Sequence, residues 1–247
     1  MKNEGKTKGL MTEGVIWKEL LLFSIPLLLG NLFQQLYNAV DSIVVGNYIG
    51  PQALAAVGSS APLINLLVSF FMGLSVGAGV IISRYFGARM HDSLQDAIHT
   101  SLAFTLLAGI VMTIVGVIAS PLILELMGTP EDVMVNSVLY LRIYFLGVIS
   151  VMMYNMGSGI LRSVGDSKNP LYFLIVSSVL NIILDLLFVV VFKMGIAGVA
   201  WATLIAQTTS MLLTMLLLVK TKQEYKVTLR KIKIHKQTLM DRSEEHT

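Results

Sequence analysis

Two aspartates stand inside apolar runs long enough to cross a bilayer: Asp41 within Leu20–Gly50, and Asp185 in a run near residues 171–192. A carboxylate in hydrocarbon costs roughly 3 kcal/mol on insertion scales, so a helix keeps one only where that face looks into protein or water. Gln34, Tyr37, Asn38 and Asp41 recur three or four residues apart and share one helix face. Asn181 precedes Asp185 by four residues, and Thr203 precedes Gln207 by four in the next run, so each pair also shares a face. Carboxylates flanked by amides and hydroxyls in this pattern suit the binding of a proton or a small cation. The alternative is a purely architectural use, with either aspartate hydrogen-bonded to Asn181 or Tyr37 to specify helix packing.

The elements that must position these groups are membrane helices. The composition is 55% hydrophobic and only 13% charged, against about 25% charged in a typical soluble domain. Six apolar segments reach spanning length, at about residues 20–46, 53–82, 97–123, 134–161, 171–192 and 196–219. They are too long and too little alternating for strands of a membrane barrel. The expected fold is an all-α bundle of six transmembrane helices over 20–219, preceded by a cytoplasmic segment, 1–19, and followed by a basic cytoplasmic linker or tail, 220–247.

Sixteen of the 18 basic residues fall in the two terminal segments and the second–third and fourth–fifth connections, where Arg162 and Lys168 are placed. The positive-inside rule then puts both termini in the cytoplasm. The first and fifth helices run inside to outside, which sets Asp41 and Asp185 about 9–12 Å below the outer mouth at 1.5 Å per residue. The expectation is one polar chamber walled by the first, fifth and sixth helices.

Several chemistries are excluded by pattern. With no cysteine, there is no disulfide or thiolate ligand. His91, His99, His235 and His246 show no metal-ligand spacing and are expected in loops or at helix ends. No G-x-x-x-x-G-K occurs, and Gly77-Ala78-Gly79 and Gly157-Ser158-Gly159 lack the third glycine of a dinucleotide fingerprint. No nucleophile–base pair suggests an enzyme, and the basic excess is a matter of topology, not of nucleic-acid binding. Pro26, with Gly30, falls inside the first span and offers a hinge; Pro62 is similar. Gly73-x-x-x-Gly77, with Gly79, suggests close helix packing, and Arg142 is expected to snorkel. The polar N-terminus shows no cleavable signal peptide.

The sequence also carries a set of ordered motifs. These are Ile25-Pro26, then Ala39-Val-Asp41-Ser-Ile-Val-Val-Gly46 with Leu54-Ala-Ala-Val-Gly58, and Gly159-Ile-Leu-Arg162-Ser-Val-Gly165-Asp166 ahead of Pro170. Asn181-Ile-Ile-Leu-Asp185 and Gly195-Ile-Ala-Gly198-Val-Ala-Trp-Ala-Thr203 follow. Each is weak alone, but their order resembles the N-terminal half of a multidrug and toxic compound extrusion (MATE) transporter, from about residue 13 to 220. The resemblance implies twelve helices in two six-helix lobes and export of drugs or metabolites against inward H⁺ or Na⁺. It further implies a cation site at the positions of Asp41, Asp185 and Asn181, in a chamber lined by Tyr37, Asn155 and Thr203. The chain departs from that pattern by stopping after six spans. Its last residues, Arg242-Ser-Glu-Glu-His-Thr247, read like translated sequencing adapter, so an incomplete frame is expected.

The resulting expectation is a cation-coupled antiporter half in the cell inner (plasma) membrane, working by alternating access on a small organic cation or amphiphile. It requires no cofactor beyond the coupling ion, and it pairs with a missing C-terminal lobe or a second copy. Two alternatives stay open. One is a lipid-linked oligosaccharide flippase, which would place basic residues in its central cavity, where no span here carries one at depth. The other is a non-transporting scaffold, in which both aspartates are dispensable.

Overall fold

With no water in the bilayer core, each long apolar run must satisfy its own backbone hydrogen bonds, and a helix does so within one segment. The computed structural model describes residues 16–228. It shows α1 (Ile16–Val44), α2 (Pro51–Gly87), α3 (His91–Leu126), α4 (Glu131–Ser163), α5 (Lys168–Asp185) and α6 (Ile196–Lys220). All six are long and apolar enough to span a membrane when α1 and α5 are taken with the π-helical turns that continue them, Val45–Ile49 and Leu186–Val191. The basic residues before Lys18, those from Arg230 onward, His235, His246 and the Arg242–Thr247 hexapeptide lie outside the described residues. Helix ends extend past the expected spans, most at the start of α3 and the end of α2. Amphipathic turns reaching into the interface are too polar for a hydropathy threshold.

An even number of spans leaves the described N- and C-terminal ends at one end of the bundle, here termed the terminal end, with the α2–α3 and α4–α5 connections. The other three connections form the opposite end. At the opposite end, Gly50 takes φ 117° between the π turn and Pro51, a left-handed conformation open to glycine at no steric cost.

The central helix is α4, half of whose spanning window is buried, against 11% for α1. It packs on α2, α3 and α6, whereas α1 leans chiefly on α5. The close approaches run through α4. A Cβ on Gly116 of α3 would fall inside the Phe145 ring, and one on Gly159 would strike Ser75, whose Oγ donates to Asn155 O at 2.8 Å. The Gly73–Gly77 pair expected to pack closely does not: neither has a neighbour within 4 Å of a would-be Cβ, and only Gly79 touches α4, near Ser163 and Gly159. Two glycines four apart mark a smooth helix face but do not say what lies against it.

Prolines interrupt three helices, at Pro26, Pro62 and Pro121. Each removes one N–H and leaves the carbonyl four residues earlier without its helical donor. In α3 that carbonyl is Val117 O, and Arg142 Nε donates to it at 3.2 Å. Arg142, expected only to snorkel, therefore also fills the gap made by Pro121.

His99 departs from the expected loop or helix-end placement. It is buried within α3, with Nδ1 2.7 Å from Gln95 O and Nε2 accepting from Thr228 N at 3.0 Å. Gln95 Nε2 donates to Glu224 O, and His91 pairs with Glu224 at 3.2 Å. The segment after α6 is thus fastened to the first turns of α3, with Val227 buried against Leu218 and its neighbours.

Candidate functional site

An elongated cavity of about 340 Å³ runs along α1, bounded by α2, α4, α5 and α6. Pro26, Gln34, Tyr37, Asn38, Asp41, Asn155, Thr203 and Gln207 all line it. The wall is wider than the α1–α5–α6 chamber expected, since α2 gives Asn65 and Met72, and α4 gives Tyr140, Tyr144, Tyr154, Asn155 and Arg162. Apart from Asn155, those α4 positions were missed, yet Tyr140, Tyr144, Val151, Asn155 and Arg162 recur at intervals of four and seven, which is one helix face. Tyr140 and Arg162, 22 residues apart, mark a length of about 33 Å at 1.5 Å per residue.

At the opposite end of this groove the helices bring Asp41, Asp185, Asn181 and Thr203 together. Thr203 Oγ1 lies 3.5 Å from Asp41 Oδ2, a long contact. The carboxyls of Asp41 and Asp185 lie within hydrogen-bonding reach of each other. Asp41 is 8% exposed and faces the cavity, while Asp185 and Asn181, at 0%, sit behind it and do not line it. Tyr37 and Gln207 line the cavity beside this cluster, and Tyr140 stands near both aspartates.

The cluster is notable for unmet bonding. Of eight buried side-chain polar atoms without a partner among the described residues, five belong to it: Asp41 Oδ1, both oxygens of Asp185, and Oδ1 and Nδ2 of Asn181. Ionised carboxylates only accept, so two in contact repel unless a proton or a cation lies between them. Leaving such groups buried and bare is expensive, and one positive species among these oxygens would satisfy several of them at once. Both aspartates also adjoin the places where their helices widen into π turns: Val45 follows Asp41 by one helical turn, and Leu186 follows Asp185 directly. Single π turns are frequent at functional sites. Among the described residues no group of three or more His, Asp or Glu side chains is placed to hold a metal.

The terminal end of the groove has the reverse character. Arg162, expected in a connection outside the spans, occupies the last turn of α4 and lines the cavity, with Nε donating to Ser158 O at 3.2 Å. Among the described residues no span carries a basic residue at depth, but Arg162 reaches the cavity from the last turn of α4.

Comparison with known proteins places these features in a family. The MatE family profile matches residues 26–187. A probable multidrug resistance protein of Bacillus subtilis, YoeA, is 39% identical over 91% of this chain and 50% of its own length. The multidrug export protein MepA of Staphylococcus saprophyticus is 24% identical over 80% of this chain and 44% of its own. An outward-facing structure of a multidrug resistance MATE transporter superposes with a TM-score of 0.86 at 32% identity, covering 97% of this chain and 53% of the other. An inward-facing one gives 0.78 at 31%, covering 85% and 48%. The chain spans about half the length of the curated relatives it matches. With a matched profile over most of the bundle and one lobe's architecture reproduced in six membrane-length helices, the chain belongs to the MatE family of membrane transporters.

Proposed function

We propose that this chain is the N-terminal lobe of a cation-coupled multidrug exporter, with Asp41, Asp185 and Asn181 as the site of the coupling ion, H⁺ or Na⁺. The observation that carries the reading is the cluster of five unpartnered buried polar atoms with Asp41 open to the groove. A cation arriving through the groove meets Asp41 first, and Asp185 and Asn181 complete its shell from behind. Occupancy neutralises a repulsive pair and so changes the packing preference between α1 and α5, the contact that carries α1. Alternating access follows if the two packings open the groove to opposite sides. Gln34, Tyr37, Asn38, Asn155, Thr203 and Gln207 line the path of the substrate, a small organic cation or amphiphile, and Pro26 supplies the bend in α1.

Positive-inside counting supports cytoplasmic termini in the plasma membrane. That orientation sets the aspartates toward the outside, where the coupling ion loads. A second lobe, or a second copy of this chain, closes the side of the groove left open beside α1.

The test is Asp185→Asn in a chain carrying both lobes, assayed for drug efflux driven by imposed pH or Na⁺ gradients. Ion-driven efflux is expected to fall to background, with insertion into the membrane unchanged. Undiminished efflux would overturn the reading, and the gradient that drives the unmutated protein identifies the ion.

A further inference from the structure

The two ends of the groove are of opposite charge. At the terminal end, the Arg162 guanidinium lines the cavity with one of its N–H groups bonded to Ser158 O. That bond fixes the side chain along its own helix and leaves the outer NH₂ groups for another acceptor. The carboxylate closest in sequence, Asp166, is committed elsewhere. Its Oδ1 accepts from Asn169 N at 3.1 Å and its Oδ2 from Asn169 Nδ2 at 2.5 Å, which fastens the first turn of α5. No carboxylate among the described residues forms an ion pair with Arg162. The acids of the cavity wall amount to Asp41, which belongs to the far end.

Two further elements meet Arg162 there. Ser167, buried at the mouth of α5, and Pro170 in its first turn line the same end of the cavity. The first turn of α5 begins beside this spot but is already capped, since Asp166 accepts from Asn169 N and Pro170 has no N–H to offer. Apolar side chains, Leu27, Leu171 and Leu174, continue the wall toward the middle of the groove.

We infer that the terminal end of the groove is an oxyanion subsite, in which Arg162 and the Ser167 hydroxyl hold the phosphate of an amphiphile whose apolar part lies along Leu27, Leu171 and Leu174. A planar guanidinium with free N–H groups matches phosphate geometry. The subsite and the aspartate cluster are about 33 Å apart along α4, too far for one drug-sized molecule to occupy both. The phosphate belongs either to a membrane phospholipid or to a soluble alkyl phosphate. The inference rests on the reading of this groove as the substrate path and extends it to a second class of ligand.

Arginine modification in the unmutated chain tests it. The purified, delipidated 247-residue chain in detergent is treated with phenylglyoxal, and adducts at Arg162 and at the exposed Arg89 are quantified by mass spectrometry. Hexyl phosphate or dioleoylphosphatidylglycerol is expected to slow modification of Arg162 at least about fivefold without slowing Arg89. Protection by hexyl phosphate alone assigns a soluble anion, and protection by the phospholipid assigns a headgroup. Equal protection of both arginines, or none at Arg162, overturns the subsite. In a second arm, Arg162→Gln is expected to weaken hexyl phosphate binding about tenfold and Arg162→Lys less, and an unchanged affinity in Arg162→Gln overturns it. Loss of protection while Asp185→Asn still abolishes efflux would sink the subsite alone. Protection persisting while Asp185→Asn leaves efflux intact would keep the subsite and remove the coupling site.

Discussion

The α3–α4 side of the bundle and the α1–α5 side answer the same problems in opposite ways. Each contains a proline inside a membrane helix. In α3 the carbonyl freed by Pro121 is met by Arg142 from α4. In α1 no side chain among the described residues donates to Leu22 O, the carbonyl freed by Pro26, and Pro26 borders the cavity. The α3–α4 contact is closed by Gly116 against the Phe145 ring, whereas Gly30 of α1 meets Leu171 and Leu174 only at ordinary contact distance, 3.9 and 3.7 Å. The unmet polar atoms differ in kind: five of eight are charged or amide atoms clustered on α1 and α5 at the aspartates, and the other three are isolated hydroxyls of Thr113, Thr129 and Ser158 on the α3–α4 side. On the function proposed above, the α3–α4 side would serve as a fixed frame and the α1–α5 side as the part that repacks.

The strongest way to break this contrast is to wedge the frame. Gly116→Leu forces a branched side chain into the volume of the Phe145 ring, buried at 2% exposure. Overpacking of a dense core costs about 1–3 kcal/mol and at times more, and here either the Phe145 ring must leave its place or the two helices must part. Denaturant unfolding in mixed micelles should show a loss of about 3 kcal/mol or failure to fold. Gly77→Ala, with nothing within 4 Å, should leave the midpoint unchanged or raise it, by up to about 1 kcal/mol of helix propensity. A mild effect at Gly116 would mean that the α3–α4 side is no stiffer than the other.

That pair of glycines also shows what the sequence could and could not convey. Six spans were legible because hydrocarbon length and the ban on unsatisfied backbone leave helices little choice. The residues of α1 that face the cavity were legible because Gln34, Tyr37, Asn38 and Asp41 stand out against an apolar background at helical spacing. Hydroxyls and glycines carry no such contrast, so neither the idle Gly73–Gly77 face nor the tight Gly116 contact could be told from spacing. Arg162 was assigned to a connection because charge was used to end the helix, although a helix end can point its last side chain back into the bundle. His99 was misplaced for a related reason. Its partner, Thr228 N, is a backbone group 129 residues away, and nothing local announces it.

A smaller effect sharpens the proline half of the comparison. Arg142→Met keeps the aliphatic length and removes the donor to Val117 O. The expected loss is about 1 kcal/mol, the usual net worth of such a bond, somewhat raised by the charge on the donor. The loss should largely disappear in a Pro121→Ala background, where the backbone N–H restored by the substitution can reach Val117 O along the helix. A double-mutant cycle by denaturant unfolding gives that coupling directly. Additive losses would show that Arg142 merely lies against α3, and that Pro26 and Pro121 do not differ in the way described.

The smallest expected change concerns the terminal end of the rigid side. His99 accepts from Thr228 N–H at Nε2 while Nδ1 faces Gln95 O, an arrangement that sets the proton on Nδ1. His99→Phe fills most of the ring volume and offers no acceptor, so Thr228 N–H loses its partner. Removing one bond of about 1 kcal/mol should raise local opening about fivefold. Hydrogen exchange at the Thr228 amide should quicken by that factor, while amides in the middle of α3 and α4 keep their protection. Glu224 and Val227 hold the same segment through His91, Gln95 and Leu218, so the fold as a whole should barely register the loss. If the slowing of exchange across all of α3 were lost instead, the segment after α6 would be part of the frame itself and not a strap laid upon it. The boundary between fixed and movable parts would then have to be drawn after Thr228, at the start of whatever the chain next connects to.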